Sequence, residues 1–214
     1  MPYYLNNPSA TNVAVTISPV PLDTLGDYFE VKMFANSGNP GDIWRFAGAQ
    51  SGFTPLAEAR TNAFQNRFDS GVFVNKVHGA GIAIGEIFTL RVEKTTATGW
   101  EYFLNGVSFT SQITQSSVTF DQFFRLSTVS TEVLKGAIYY FEMGNSSGVT
   151  NRWESTTGTG STFEDSVGGN DGTLLNFPTD DSQWVFYAPP AVTPVNPSIT
   201  NLLATSARLN WEQG

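Results

Sequence analysis

The chain has 214 residues, a net charge of −8 and no cysteine, with 40% hydrophobic, 14% aromatic and only 14% charged residues. That length and apolar fraction support a core of full size without disulfides, and the missing cysteines exclude disulfide staples and thiolate metal sites. An isoelectric point near 4.5 argues against nucleic acid and anionic lipid as partners, because there is no basic patch to neutralise phosphates.

Average soluble domains carry roughly 25% charged residues. A surface so poor in charge must be built from Ser, Thr, Asn, Gln and Gly, as in extracellular and virion β-proteins and in surfaces that contact glycans. No run of about 18 apolar residues is present, so no membrane insertion is expected. The opening Met-Pro-Tyr-Tyr-Leu-Asn-Asn has neither a basic nor an apolar leader segment. A virion protein assembled in the cytosol, or a piece of a larger exported or cell-surface protein, is expected.

The segments read in chain order as short alternating strands between Gly, Asn and Ser clusters. Asn12 to Ser18 alternates and is expected to stop at Pro19. Asp27 to Ala35 puts Phe29, Val31 and Met33 on one face and Glu30 and Lys32 on the other. Ile43 to Ala47 is a short strand, and Leu56 to Phe68, the one stretch rich in helix formers, is expected to be a loop with a turn or two of helix. Gly71 to Val77 and Gly81 to Ile84 follow. Glu86 to Lys94 points Phe88, Leu90 and Val92 inward and Thr89, Arg91 and Glu93 outward. Trp100 to Leu104 and Val107 to Ile113 flank Asn105-Gly106, a dipeptide that tolerates positive φ and marks a hairpin. Gln122 to Ser127, Leu134 to Met143 and Gln183 to Tyr187 complete the series. One-sided strands at this spacing predict an all-β antiparallel two-sheet sandwich. No internal repeat of fixed period is visible.

Composition shifts near residue 188. Residues 189–197 hold four prolines and read as an extended linker. Residues 198–214, with Ile199, Leu202, Ala207, Leu209 and Trp211, read as the first two strands of another small β-sandwich. The domain plan is thus 1–188, linker 189–197 and an incomplete unit 198–214.

Three segments carry a family resemblance. Phe88 to Val107 (FTLRVEK…GWEYFLNGV), Arg125 to Met143 (RLSTVSTEVLKGAIYYFEM) and Gly158 to Phe177 (GTGSTFEDSVGGNDGTLLNF) together resemble the laminin-G branch of the concanavalin-like lectin/glucanase superfamily. The resemblance implies a jelly-roll sandwich that binds glycans or cell surfaces, as in phage tail, capsid-decoration and bacterial surface modules. It also implies a Ca2+ site at the sandwich rim. The Asp-Ser…Asp-Gly-Thr piece often opens such modules, whereas here it comes last. Residues 196–211 (NPSITNLLATSARLNW) resemble the start of a fibronectin type III domain.

Enzymes of this fold would need a carboxylate pair on one strand, Glu-x-Asp-x-x-Glu, or a Gln-x-His strand. Neither occurs; Glu164 and Asp165 are adjacent and point to opposite faces, and the single histidine, His78, sits beside a glycine. A non-catalytic role is therefore expected. For glycan or surface binding the candidates are Trp44, Arg45, Trp100, Tyr102, Arg152 and Trp153, in which rings would stack on sugars and guanidiniums would meet hydroxyls. The competing reading of each ring is core packing. For Ca2+ the candidates are Asp165, Asn170 and Asp171, hard oxygens in a Gly-rich loop, against a reading as turn and cap residues. A carbohydrate-binding accessory module of a secreted polysaccharide-degrading enzyme is the alternative function, and a jelly-roll lyase or hydrolase ranks behind both. Many copies on one particle, as a homo-oligomer, would supply avidity.

Overall fold

The structure, a computed structural model, describes residues 3–6, 13–35, 44–47, 56–59, 63–66, 74–77, 87–111, 118–123, 136–186, 195–203 and 206–212, with side chains described at 3–6, 13–33, 87–108, 119–123 and 137–186. The described residues form strands and turns only. In chain order the strands are β1 (Tyr3–Asn6), β2 (Ala14–Leu22), β3 (Tyr28–Ala35), β4 (Trp44–Ala47), β5 (Leu56–Ala59), β6 (Ala63–Asn66), β7 (Val74–Val77), β8 (Ile87–Lys94), β9 (Trp100–Leu104), β10 (Val107–Ser111), β11 (Val118–Phe123), β12 (Gly136–Asn145), β13 (Gly148–Glu154), β14 (Thr162–Asp165), β15 (Gly172–Leu175), β16 (Trp184–Phe186), β17 (Val195–Leu203) and β18 (Ser206–Glu212).

The main path of antiparallel partners runs β10-β9-β8-β3-β12-β13-β14-β15-β2-β11, with β1 added to β12 and β16 to β1. β4 to β7 form a separate four-stranded sheet, and β17 and β18 a two-stranded hairpin. The main path folds back on itself. Phe29 on β3 and Phe120 on β11, far apart along it, have ring centroids 5.1 Å apart, and Phe123 on β11 stacks on Phe141 of β12 at 4.5 Å. Two layers therefore enclose one core, made from alternate residues of both. This is the antiparallel all-β sandwich expected from the strand pattern.

Two β-bulges set the phase of that core. On β12, Ile138 pairs with Met33 but Tyr140 with Lys32, so one extra residue enters the strand. Strict alternation would turn Ile138 and Phe141 to opposite faces; the extra residue brings both into the core and turns Tyr140 and Glu142 to the other face of the sheet, where Glu142 stays covered by its neighbours. On β11 the shift between Phe120 and Gln122 likewise lets Phe120 and Phe123 both reach the core.

Several expectations are corrected. β2 does not stop at Pro19 but continues through Pro21 to Leu22. Beyond Thr16 it has left β15 and keeps β11 alone as a strand partner, and a strand with one partner tolerates proline. The segment expected to contain helix forms β5 and β6, antiparallel neighbours, because Leu-Ala-Glu-Ala and Ala-Phe-Gln-Asn find strand partners that outweigh local helix propensity. β11 starts at Val118, four residues earlier than expected, and the rest of the expected strand, 124–127, lies outside the described residues. The expected strand Gly81 to Ile84, His78 and residues 189–194 of the linker lie outside the described residues.

Candidate functional site

The loop after β14 was the expected metal site, and its oxygens are engaged by N–H donors. The Asp165 carboxylate accepts from the Asn151 side-chain amide at 2.7 Å and from the backbone N–H of Arg152, Val167, Gly168 and Asn170 at 2.8, 3.1, 2.9 and 3.0 Å. Burial works against its charge, but the bonds from Asn151, Arg152, Gly168 and Asn170 outweigh burial and hold the carboxyl below its ordinary range. Asp171 Oδ1 accepts from the Asp165 N–H at 2.8 Å. Asn170 accepts from the Ser18 N–H and donates to the Ser18 carbonyl, both at 2.9 Å, standing in for a strand partner where β2 has left β15. Gly168 is required here, since a Cβ would lie 2.2 Å from the Asn151 amide nitrogen. Among the described residues no group of three or more His, Cys, Asp or Glu gathers around a point that could hold a metal. In these contacts the three residues close the loop, the competing reading given to them from the sequence.

Three of the four expected stacking aromatics are core. Trp100, Tyr102 and Trp153 are each 0% exposed, so none offers a ring to a sugar. Alternation explains this: Tyr102 pairs with inward Val92, and Trp153 with inward Phe141. The Trp153 ring packs 5.2 Å from Phe123 and 5.6 Å from Phe141, and its N–H donates to the Asn170 carbonyl at 2.6 Å. Trp44 and Arg45 fall on β4, opposite Ala59 and Glu58; their side chains lie outside the described residues.

Arg152 does face outward, and it leads to the site. Cross-strand register places Phe103, Arg91, Glu30, Glu142 and Arg152 in one row across β9, β8, β3, β12 and β13. The Arg91 guanidinium lies 3.4 Å from the Tyr28 ring centroid and pairs with Glu93 at 2.9 Å and with Glu30 at 3.9 Å. The Arg152 guanidinium lies 4.0 Å from the Tyr140 ring centroid and pairs with Glu142 at 2.9 Å and with Glu154 at 3.1 Å. The two tyrosines cross the row. The Tyr28 hydroxyl donates to Glu142 at 3.2 Å, and the Tyr140 hydroxyl to Glu30 at 2.6 Å. Gly144 makes room for this, since a Cβ there would lie 2.6 Å from the Tyr28 oxygen.

The central carboxylates, Glu30 and Glu142, stand opposite each other. Burial, then the Glu30 charge, pushes the Glu142 carboxyl above its ordinary range, while Arg152 and the Tyr28 hydroxyl pull it down. Burial and the bond to Glu30 push the Tyr140 phenol well above its ordinary range, so it stays a donor. Both arginine side chains keep about a third of their surface exposed, 30% for Arg91 and 32% for Arg152. The face thus presents two fixed guanidiniums, each over a ring, above a largely covered carboxylate pair, with Glu93 and Glu154 as the more open acceptors. Such a surface offers donors and acceptors whose rotamers are already locked.

The carboxylate pair does not show as a two-acid motif on one strand, because its members come from β3 and β12. A signal was present: Tyr-Phe-Glu occurs at 28–30 and again at 140–142, and Arg-x-Glu at 91–93 and 152–154. The unequal separations hide it from a search for fixed periods.

No family model matches the chain, and no curated protein matches it in sequence. Among solved structures it is similar to the carbohydrate-binding module CBM66 from Bacillus subtilis, at 11% identity over 68% of this chain and 89% of that one, with a TM-score of 0.41. It is also similar to the galectin LEC-6 of Caenorhabditis elegans, at 13% identity over 59% and 95%, TM-score 0.37, and to sheep galectin-11 in complex with glycerol, at 12% identity over 63% and 98%, TM-score 0.39.

Proposed function

We propose that the chain is a non-catalytic glycan-recognition module carried on a virion or bacterial surface. The observation that carries the reading is the outward face of β8, β3, β12 and β13, where Arg91 and Arg152 are locked by Tyr28, Tyr140 and four glutamates. Guanidinium donors beside carboxylate acceptors suit vicinal hydroxyls, and Phe103, partly exposed beside Arg91, adds apolar surface at the edge of the row. Glu30 and Glu142 each already accept a tyrosine hydroxyl, and Glu142 an arginine as well, which suits holding a ligand better than transferring a proton. The low charge of the chain supports a surface setting. The β17–β18 hairpin fits the opening strands of a fibronectin type III-like unit.

Each polar contact to a sugar replaces one to water, so affinity per copy is modest and display in many copies raises it. A glycan array probed with the whole chain, clustered on a multivalent carrier, tests the proposal. Binding to a defined set of glycans, weakened about tenfold or more by Arg152→Ala at the loss of charge-assisted bonds, is expected. Failure to bind any glycan, or binding untouched by both Arg91→Ala and Arg152→Ala, overturns it.

A further inference from the structure

The outward face repeats itself. Tyr28, Glu30, Arg91 and Glu93 make one set of contacts, and Tyr140, Glu142, Arg152 and Glu154 make the same set. In each, the arginine stacks on its own tyrosine, at 3.4 and 4.0 Å, and pairs with the glutamate two residues on, at 2.9 and 3.1 Å. Each arginine also pairs with the central glutamate next to it, at 3.9 and 2.9 Å. Each tyrosine donates across the centre to the other set's glutamate, at 3.2 and 2.6 Å. The strands match as well: Glu30 pairs with Glu142, and the flanking Arg91 and Arg152 pair outward from them. An antiparallel pair has local two-fold symmetry about a directly opposed residue pair. Here that axis passes between Glu30 and Glu142, and the side chains obey it. The sets differ in their neighbours: Gly144 lies beside Tyr28 and Lys32 beside Tyr140, and Arg91 has Phe103 on its outer side where Arg152 has Ser166, whose hydroxyl also donates to Glu154 at 3.0 Å.

We infer that the face consists of two equivalent half-sites, related by this axis, that together take a chain of repeating sugar units and not a single sugar. The inference rests on the glycan-binding reading above. Arg91 and Arg152 are three strand spacings apart, about 14 Å at roughly 4.8 Å per strand. That span exceeds one pyranose ring. The same donors and acceptors are offered at both ends of it, so only a chain whose hydroxyl pattern recurs can satisfy both. Joining the two contacts in one molecule makes the second intramolecular and raises affinity with chain length. A sugar chain has a direction, whereas the two half-sites match except at neighbours such as Phe103 and Ser166, so the chain lies across the axis in either sense.

The test is calorimetry on the whole protein with cellulose- and chitin-derived oligomers and a β-galactan series, each from monomer to hexamer. Expected are one hexamer per protein and a gain of about tenfold or more over the monomer. Arg91→Ala and Arg152→Ala should lose affinity for the hexamer by factors within about threefold of each other, and the double variant should lose it altogether. Arg91→Lys and Arg152→Lys, with circular dichroism on every variant, separate loss of a contact from loss of fold. A nitroxide at the reducing end should broaden resonances near both Arg91 and Arg152. A hexamer bound no tighter than the monomer, one arginine silent and the other essential, or broadening at one end only would overturn the two half-sites while leaving glycan binding intact. Absence of binding by any series, together with an empty array, would take down both.

Discussion

Asp165 shows how one carboxylate organises a loop. Five N–H donors converge on it from Asn151, Arg152, Val167, Gly168 and Asn170. In Asp165→Asn the new amide would face donors, so about 1.5–3 kcal/mol should be lost at neutral pH, the range for bonds to a charged group. The folded carboxyl titrates below its ordinary 3.8, so the unfolded chain binds the proton more readily. Its stabilisation is complete above 3.8 and is lost as pH falls through the lower folded value. Urea melts should show the gap between wild type and Asp165→Asn closing in that acid window; a gap unchanged at acid pH would contradict the assignment. The same residue marks where sequence stopped being informative. An Asp in Asp-Ser-x-Gly-Gly-Asn-Asp reads equally as a metal ligand or as a loop closure, because what decides is whether N–H groups or a cation meet its oxygens, and neither is written in the residue types.

Among strands, alternation was legible and bulges were not. β3, β8 and β9 lie within a residue of their expected bounds, since Phe29-Val31-Met33 and Phe88-Leu90-Val92 mark a buried face directly. β12 resists that reading, because the extra residue between Ile138 and Tyr140 breaks the pattern. β13 and β14 escaped it, with polar stretches such as Gly148 to Arg152 in strand conformation through pairing with neighbours and not through burial of their own. Tyr28, Tyr140 and the central glutamates of the site were hidden for the same reason: they become neighbours only through register between strands distant in sequence. β2 depends on a side chain where it lacks a strand. Replacing Asn170 by Ala removes both bonds to Ser18 and should leave global stability down by only about 1–2 kcal/mol. Amide hydrogen exchange at Ser18 and Val20 should nevertheless speed up more than exchange at Val15, which β15 and β11 still hold. Uniform acceleration along β2 would refute that division.

For the whole molecule, the layers meet at Phe123, whose ring contacts Phe141, Trp153 and Phe163. Phe123→Ala should cost about 3–5 kcal/mol, read by denaturant melts, and a loss under about 1 kcal/mol would place the ring outside the core. The strand pairings also impose an order in time. β1 pairs with β12 and β16, and β2 with β11 and β15. During synthesis these first two strands therefore emerge long before the partners described for them, and β1 waits for Trp184–Phe186 to complete its pairing. Such distant closure makes folding slow, and until it happens the growing chain carries apolar Leu5, Val13 and Val15 without the core that later buries them.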